Sequence, residues 1–139
     1  MKLTSPLKTV LMFAVLTLVC SLAVQAQTVR ANVPFAFVAG DRMMPAGVYK
    51  IVLNARNNLI ELVPPDETGA YLAAHWSTFG TADERGSMVF HKYGDSYFLK
   101  RVKTAATTQG FEFYPTRKER DAAKRVGVFE VAMVTTYDK

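Results

Sequence analysis

Cysteine is all but missing from this chain. Cys20 is the only one in 139 residues, and it lies in an apolar N-terminal run. The rest of the protein therefore has no disulfide to close and no thiolate to hold a metal. Histidine is nearly as scarce, with His75 and His91 alone. A catalytic zinc needs about three protein ligands in tight geometry, and neither histidine belongs to a His-Glu-x-x-His arrangement, so no metal site is expected. A Gly-x-Ser-x-Gly elbow, a phosphate loop and a dinucleotide glycine pattern are all absent, and with them the common routes to a bound nucleotide or an activated serine. No cofactor is expected. Ser87, His91 and Asp95 have the residue types of a hydrolase triad. On an extended segment, positions four apart lie ~13 Å apart, beyond the reach of a nucleophile for its base. The chain has neither an internal repeat nor a low-complexity tract.

A concentrated positive face is also lacking. The whole-chain net charge is +5, but setting aside Lys2 and Lys8 leaves fifteen basic residues against twelve acidic, a net of +3. That excess is small and well mixed, which argues against nucleic acid. A solvated surface accounts for it.

The N-terminus carries the strongest signal of what is present. Lys2 and Lys8 make a short basic start, and residues 10–24 form an apolar run. The segment ends Val24-Gln25-Ala26, with short residues at its last and third-last positions. This order predicts a secretory signal peptide over residues 1–26, cleaved after Ala26. The competing reading is a retained membrane anchor. At 15 residues the run is short of the roughly 20 needed to span a bilayer, and no basic cluster follows it. Cys20 is preceded by Val19 rather than by a small residue, which speaks against lipidation. The expectation is an exported protein, periplasmic or extracellular, with no membrane span after cleavage. Residues 27–139 then form one domain, large enough to bury a core without staples.

Within that domain the period of apolar residues is two. Val29, Ala31, Val33, Phe35 and Phe37 alternate with other residues, predicting a strand with a clear inner face that either lies at a sheet edge or turns Pro34 outward. Met44-Pro45-Ala46-Gly47 suits a type I turn. Residues 48–53 and 59–63 predict a hairpin about Asn54-Ala55-Arg56-Asn57, with Ile51 facing Ile60 and Lys50 facing Glu61. Pro64-Pro65-Asp66-Glu67-Thr68-Gly69 is a stop. Residues 70–76 read as a strand and residues 77–86 as an exposed loop. The clearest hairpin is Val89-Phe90-His91-Lys92-Tyr93-Gly94-Asp95-Ser96-Tyr97-Phe98-Leu99, folded about Gly94-Asp95. It sets Tyr93 opposite Ser96, His91 opposite Phe98 and Phe90 opposite Leu99, with apolar bulk on both faces. Such a hairpin should have something packed on each side. Its second arm runs to Lys103, and residues 105–110 end it.

The period changes after Pro115. Thr116-Arg117-Lys118-Glu119 has the form of a capping box, predicting one short helix over residues 117–125. Arg117, Asp121 and Arg125 are spaced for ion pairs along it. Residues 128–137 return to strand. The fold expected is mainly β: an antiparallel β-sandwich or small barrel of seven to eight strands with one helix in the C-terminal half.

Three blocks in this order, Val33-Pro34-Phe35-Ala36-Phe37, Met44-Pro45-Ala46-Gly47-Val48-Tyr49 and the hairpin 89–99, followed by a charged helix, resemble a family of short exported β-rich proteins of soil bacteria whose function is unknown. The resemblance implies export and a β-rich domain. It supplies no catalytic residue.

Candidate site residues are His91, Tyr93, Trp76, Lys100 and Arg101. His91 shares a strand face with Tyr93 and is expected to pack among aromatics with one ring nitrogen hydrogen-bonded. Most aromatics are needed for the core, and Phe111-Glu112-Phe113-Tyr114 is the stretch expected to expose them. Lys100, Arg101 and Lys103 are either a solvated strand end or an anion patch for lipid headgroups or acidic glycans. The leading expectation is a non-catalytic domain that binds a protein partner or an envelope component. The alternatives are a hydrolase that pairs His91 with a carboxylate, or a carrier of a small apolar ligand within a barrel.

Overall fold

Eleven strands and one helix make up the described part of the protein, which in this computed structural model is residues 27–54, 56–64 and 69–137. The expected leader over residues 1–26 and the central residues of the Pro64–Gly69 stop lie outside the described residues. The chain is mainly β, as its period-two alternation implies. The strands form one connected sheet.

Local chemistry sets the central hairpin. Gly94 takes φ +59°, the left-handed conformation that the first position of this two-residue loop requires and that a side chain would strain. Strands β8 (Ser87–Tyr93) and β9 (Ser96–Lys103) then pair with Phe90 opposite Leu99, His91 opposite Phe98 and Tyr93 opposite Ser96, the register read from the sequence. Beyond Phe90 the ladder slips, because Val89 pairs with Arg101 and leaves Lys100 unopposed. This bulge has a consequence for the site. Leu99 and Val102 both point into the core, so Lys100 and Arg101 lie in succession on the opposite face.

Both faces of the hairpin are covered, as its composition demands. Met88, Phe90, Leu99 and Val102 join the main core, while Tyr93 and Phe98 join a smaller cluster with Val38 and Ala122 of the helix α1 (Arg117–Val126). Thr116 caps α1 by accepting from the Glu119 amide at 3.2 Å, and Gly127 closes it with a backbone bond to the Ala123 carbonyl. Arg117 reaches Asp121 at 4.0 Å on its exposed side.

Around this hairpin the strand order is β3-β2-β9-β8-β11-β1-β4-β5-β6. The short β2 (Phe37–Ala39) and β3 (Arg42–Met44) lie at one end. At the other are β4 (Gly47–Asn54), β5 (Leu59–Val63) and β6 (Ala70–Ala73). In the middle β11 (Glu130–Tyr137) separates β8 from β1 (Gln27–Val33). The path curls into an open half-barrel. Its ends approach each other, since a Cβ at Gly40, in the β2–β3 turn, would stand 3.0 Å from Leu72 of β6. The inside of the curl is filled by Phe37, Tyr49, Phe90, Phe111, Ile51, Ile60 and their neighbours. Tyr49 is enclosed with its hydroxyl donating to the Pro45 carbonyl, which gives the Met-Pro-Ala-Gly-Val-Tyr block its physical role.

Several expectations are corrected. Eleven strands replace seven to eight, because runs that read as single strands or loops divide or extend. Pro34, which has no amide to donate, ends β1 instead of lying at an edge. β1 is an interior strand, and its inward alternation crosses into β2. The hairpin of β4 and β5 is shifted by two residues, with Ile51 opposite Leu62 and Val52 opposite Glu61. A slip of two keeps every side chain on its face, so the hydrophobic pattern did not distinguish the registers. The expected loop at 77–86 belongs largely to β7 (His75–Asp83), paired with β10 (Thr107–Glu112), itself read as the end of the preceding arm. Phe111 and Phe113 are buried, and only Tyr114 of that stretch stands out in solvent.

Candidate functional site

The outer face of the sheet carries the candidate chemistry, and it has two halves. One half is roofed by α1. There the bulge at Lys100 and the third position of the helix bring opposite charges together: Glu119 is 4% exposed, and one of its carboxyl oxygens, Oε1, lies 3.8 Å from Lys100 Nζ and 3.5 Å from His91 Nδ1. Glu119 therefore plays only half of a capping box. Its amide meets Thr116, but its carboxyl turns down onto the sheet.

These groups border a cleft of about 350 Å³ lined by His91, Tyr93, Lys100, Pro115, Glu119, Arg120 and Ala123. Phe129 stacks on the His91 ring at 3.9 Å between centroids and lies 5.7 Å from Tyr93. Burial, followed by the charges of Lys100 and Arg101, holds His91 below the ordinary imidazole range, against a weaker pull from Glu112. The imidazole is accordingly uncharged at neutral pH. Burial pushes the Glu119 carboxyl up, opposed by Lys100 and Arg120. Burial and then Glu119 raise the Tyr93 hydroxyl. The cleft thus offers a neutral base, a carboxyl and an ammonium group within reach of one another. No serine, threonine or cysteine is among its lining residues.

Among the described residues, no element roofs the other half of the outer face. Strand β11 is the middle strand of the nine, and its side chains alternate between the core side, with Ala132 and Val134, and the outside. On the outside stand Phe129 just before it, then Val131 at 60% exposure, Met133 at 68% and Tyr137 at 47%. Register places the neighbours of this row. Val131 pairs with His91 and Met133 with Val89, which is itself opposite Arg101. On the other side Tyr137 pairs with Arg30, and Arg30 with Lys50.

Three of the five candidates from the sequence, His91, Tyr93 and Lys100, converge on the cleft. Arg101 is one residue further along. It lies over the Phe79 ring at 4.7 Å and 3.6 Å from Glu112. Trp76 is elsewhere, on β7, edge-on to Phe111. Glu119, Arg120 and Phe129 were not among the candidates. Glu119 carried a signal, since it is the acidic position of Thr116-x-x-Glu119, but that signal named a cap and not a contact with the sheet. Among the described residues no three His, Cys, Asp or Glu side chains group as a metal site would need, and no helix is long and apolar enough to cross a membrane.

No family model, no curated protein and no solved structure matches this chain.

Proposed function

We propose that this protein is an exported, non-catalytic β domain that acts at the cell envelope by binding through the outer face of its sheet. The observation that carries this reading is the apolar row of Val131 and Met133, set outward on the central strand of a sheet whose inner face is already full, with Phe129 just before them. A monomer with nothing to bind gains nothing from such a row, and contiguous exposed apolar surface marks interaction sites. The basic and apolar order of residues 1–24 and the resemblance to exported proteins support periplasmic or extracellular placement. The half-barrel is a scaffold, and the packing of Phe37, Tyr49, Phe90 and Phe111 inside it favours binding on the outer face over carriage of a small apolar ligand.

The test is fractionation of producing cells. Wild-type protein should be recovered with envelope material, and Val131→Ser with Met133→Ser should move it to the soluble fraction without changing its melting temperature. Recovery of both proteins in the soluble fraction would refute the reading.

One observation favours a second reading, that of a hydrolase. His91 is neutral and lies 3.5 Å from a carboxyl in an open cleft, the arrangement a general base needs. The nucleophile would have to be water. A structural role accounts for the same contacts: Glu119 balances Lys100, which the bulge leaves 8% exposed. Turnover of ester, amide or glycoside substrates that disappears with His91→Gln would establish the hydrolase.

A further inference from the structure

The outer face has a charge pattern as well as an apolar row, and the two together define a partner. On one flank are Arg30 and Lys50, on the strands next to β11 and one beyond, roughly 5 and 10 Å away at the usual strand spacing. Neither has a carboxylate within 4.0 Å among the described residues. On the other flank the last turn of α1 carries Lys124 and Arg125, likewise without an ion pair among the described residues. The chain leads from them through Val126, Val128 at 77% exposure and Phe129 into β11. Of the carboxylates on the same face, Glu112 meets Arg101 and His75 and Glu119 meets Lys100, while Glu61 keeps its charge beside the neutral Tyr71 hydroxyl. Beside the apolar row, cations without an ion pair therefore outnumber carboxylates without one among the described residues.

Shape and charge exclude the alternatives in turn. The row lies on the outer side of the sheet, with α1 standing over the strands on one flank and no described element over the other, so it is open on one side and does not enclose a small ligand. A second copy laid on it would bring cation to cation, because both flanks are positive. A glycan would find aliphatic Val131 and Met133 at the centre of the contact, where it needs polar groups. A surface that accepts protruding apolar side chains and offers anions around them meets every term, and a lipid headgroup layer is such a surface.

Building on the binding reading above, we propose that the outer face centred on β11 seats the protein on a membrane surface rich in anionic phospholipid. Phe129, Val131, Met133 and Val128 enter the interface between headgroups, and Arg30, Lys50, Lys124 and Arg125 meet the phosphates around them.

The experiment is co-sedimentation of the purified protein with vesicles of phosphatidylcholine alone or with one third phosphatidylglycerol. Binding to the anionic vesicles, weak binding to the neutral ones and release by high salt are expected. Arg30→Glu with Lys50→Glu should lower the anionic partition about tenfold or more. Val131→Ser with Met133→Ser should lower it severalfold while leaving the melting temperature in place. Failure to bind anionic vesicles overturns the proposal, as does equal binding to both compositions. If vesicles fail but Val131→Ser with Met133→Ser still releases the protein from envelope material in cells, the lipid assignment falls and the binding reading stands. If the protein is a dimer without vesicles and Met133→Ser makes it a monomer, the face belongs to a second copy and the lipid assignment also falls.

Discussion

The two halves of the outer face began with the same problem and solved it differently. Over β8 and β9, Tyr93 and Phe98 are sealed by Ala122 of α1, and the two cations that the bulge places there are answered by Glu119 and Glu112. Over β11, β1 and β4, residues no less apolar are exposed among the described residues, and Arg30 and Lys50 have no ion pair there. One sheet, with one inner core, thus carries a finished surface beside an unfinished one. Folding explains the first half, whose burial contributes stability. It does not explain the second, which contributes none, and a face that adds nothing to the fold is free to serve a partner.

The sharpest test of this contrast is to move to the inner face, where packing alone governs. Phe90 is fully enclosed and meets Phe35 and Phe37 edge-on. Phe90→Ala should cost about 3–5 kcal/mol, read as a lower urea midpoint with an unchanged slope. A loss below about 1 kcal/mol would mean that the hairpin is not the centre of the core. Next in size is the roofed half. Lys100→Met leaves the buried Glu119 carboxylate without its ammonium partner and should cost about 1–3 kcal/mol, while Lys100→Met with Glu119→Gln should recover part of that loss. If the pair of changes is no better than the single one, the Glu119–Lys100 contact does not hold the helix to the sheet.

Acid should act on the roofed half through two groups of opposite sign. The folded state holds His91 below its unfolded value near 6.5, so the unfolded chain takes up that proton first. Its contribution to stability is complete above pH ~6.5 and declines as the pH falls toward the folded value. Glu119 has the opposite sign. Its folded value lies above the unfolded one near 4.5, so acidification through the raised value favours the folded state. His91→Gln should flatten the fall in melting temperature between neutral pH and pH ~5, and Glu119→Gln should steepen it. Identical profiles for the two variants would contradict the opposed shifts.

How far the chain could be read in advance follows the same division. The hairpin register was legible because Gly94-Asp95 permits one tight loop and both arms carry bulk on alternating positions. The inner alternation from Val29 to Phe37 was legible for the same reason, although Pro34 proved to be the end of a strand. The β4–β5 register was not, because a slip of two preserves every face. Strands β7 and β10 escaped notice since Gly80, Ser77 and the threonines resemble a loop until each edge finds the other. The cleft was half legible: His91, Tyr93 and Lys100 lie on one hairpin, whereas Glu119 arrives from a helix whose docking no local spacing records. The bare row was visible as alternation of Phe129, Val131 and Met133, but alternation does not say which side faces water.

The smallest expected effect decides the most. Val131→Ser exchanges an exposed methyl pair for a hydroxyl on a strand held at both edges by β8 and β1. Surface changes of this kind usually lie within about 0.5 kcal/mol of neutral, and the unfolding midpoint should stay where it is. The same change on the roofed half would open a hole, as the enclosure of Tyr93 and Phe98 by Ala122 implies. If Val131→Ser instead lowers the stability by about 1 kcal/mol or more, the row is covered in the folded protein by some part of this chain itself. The two halves would then be two versions of one sealed surface, and the case for a partner on β11 would be gone. If the midpoint holds while association with envelope material weakens, the apolar row is kept exposed for binding and not for folding.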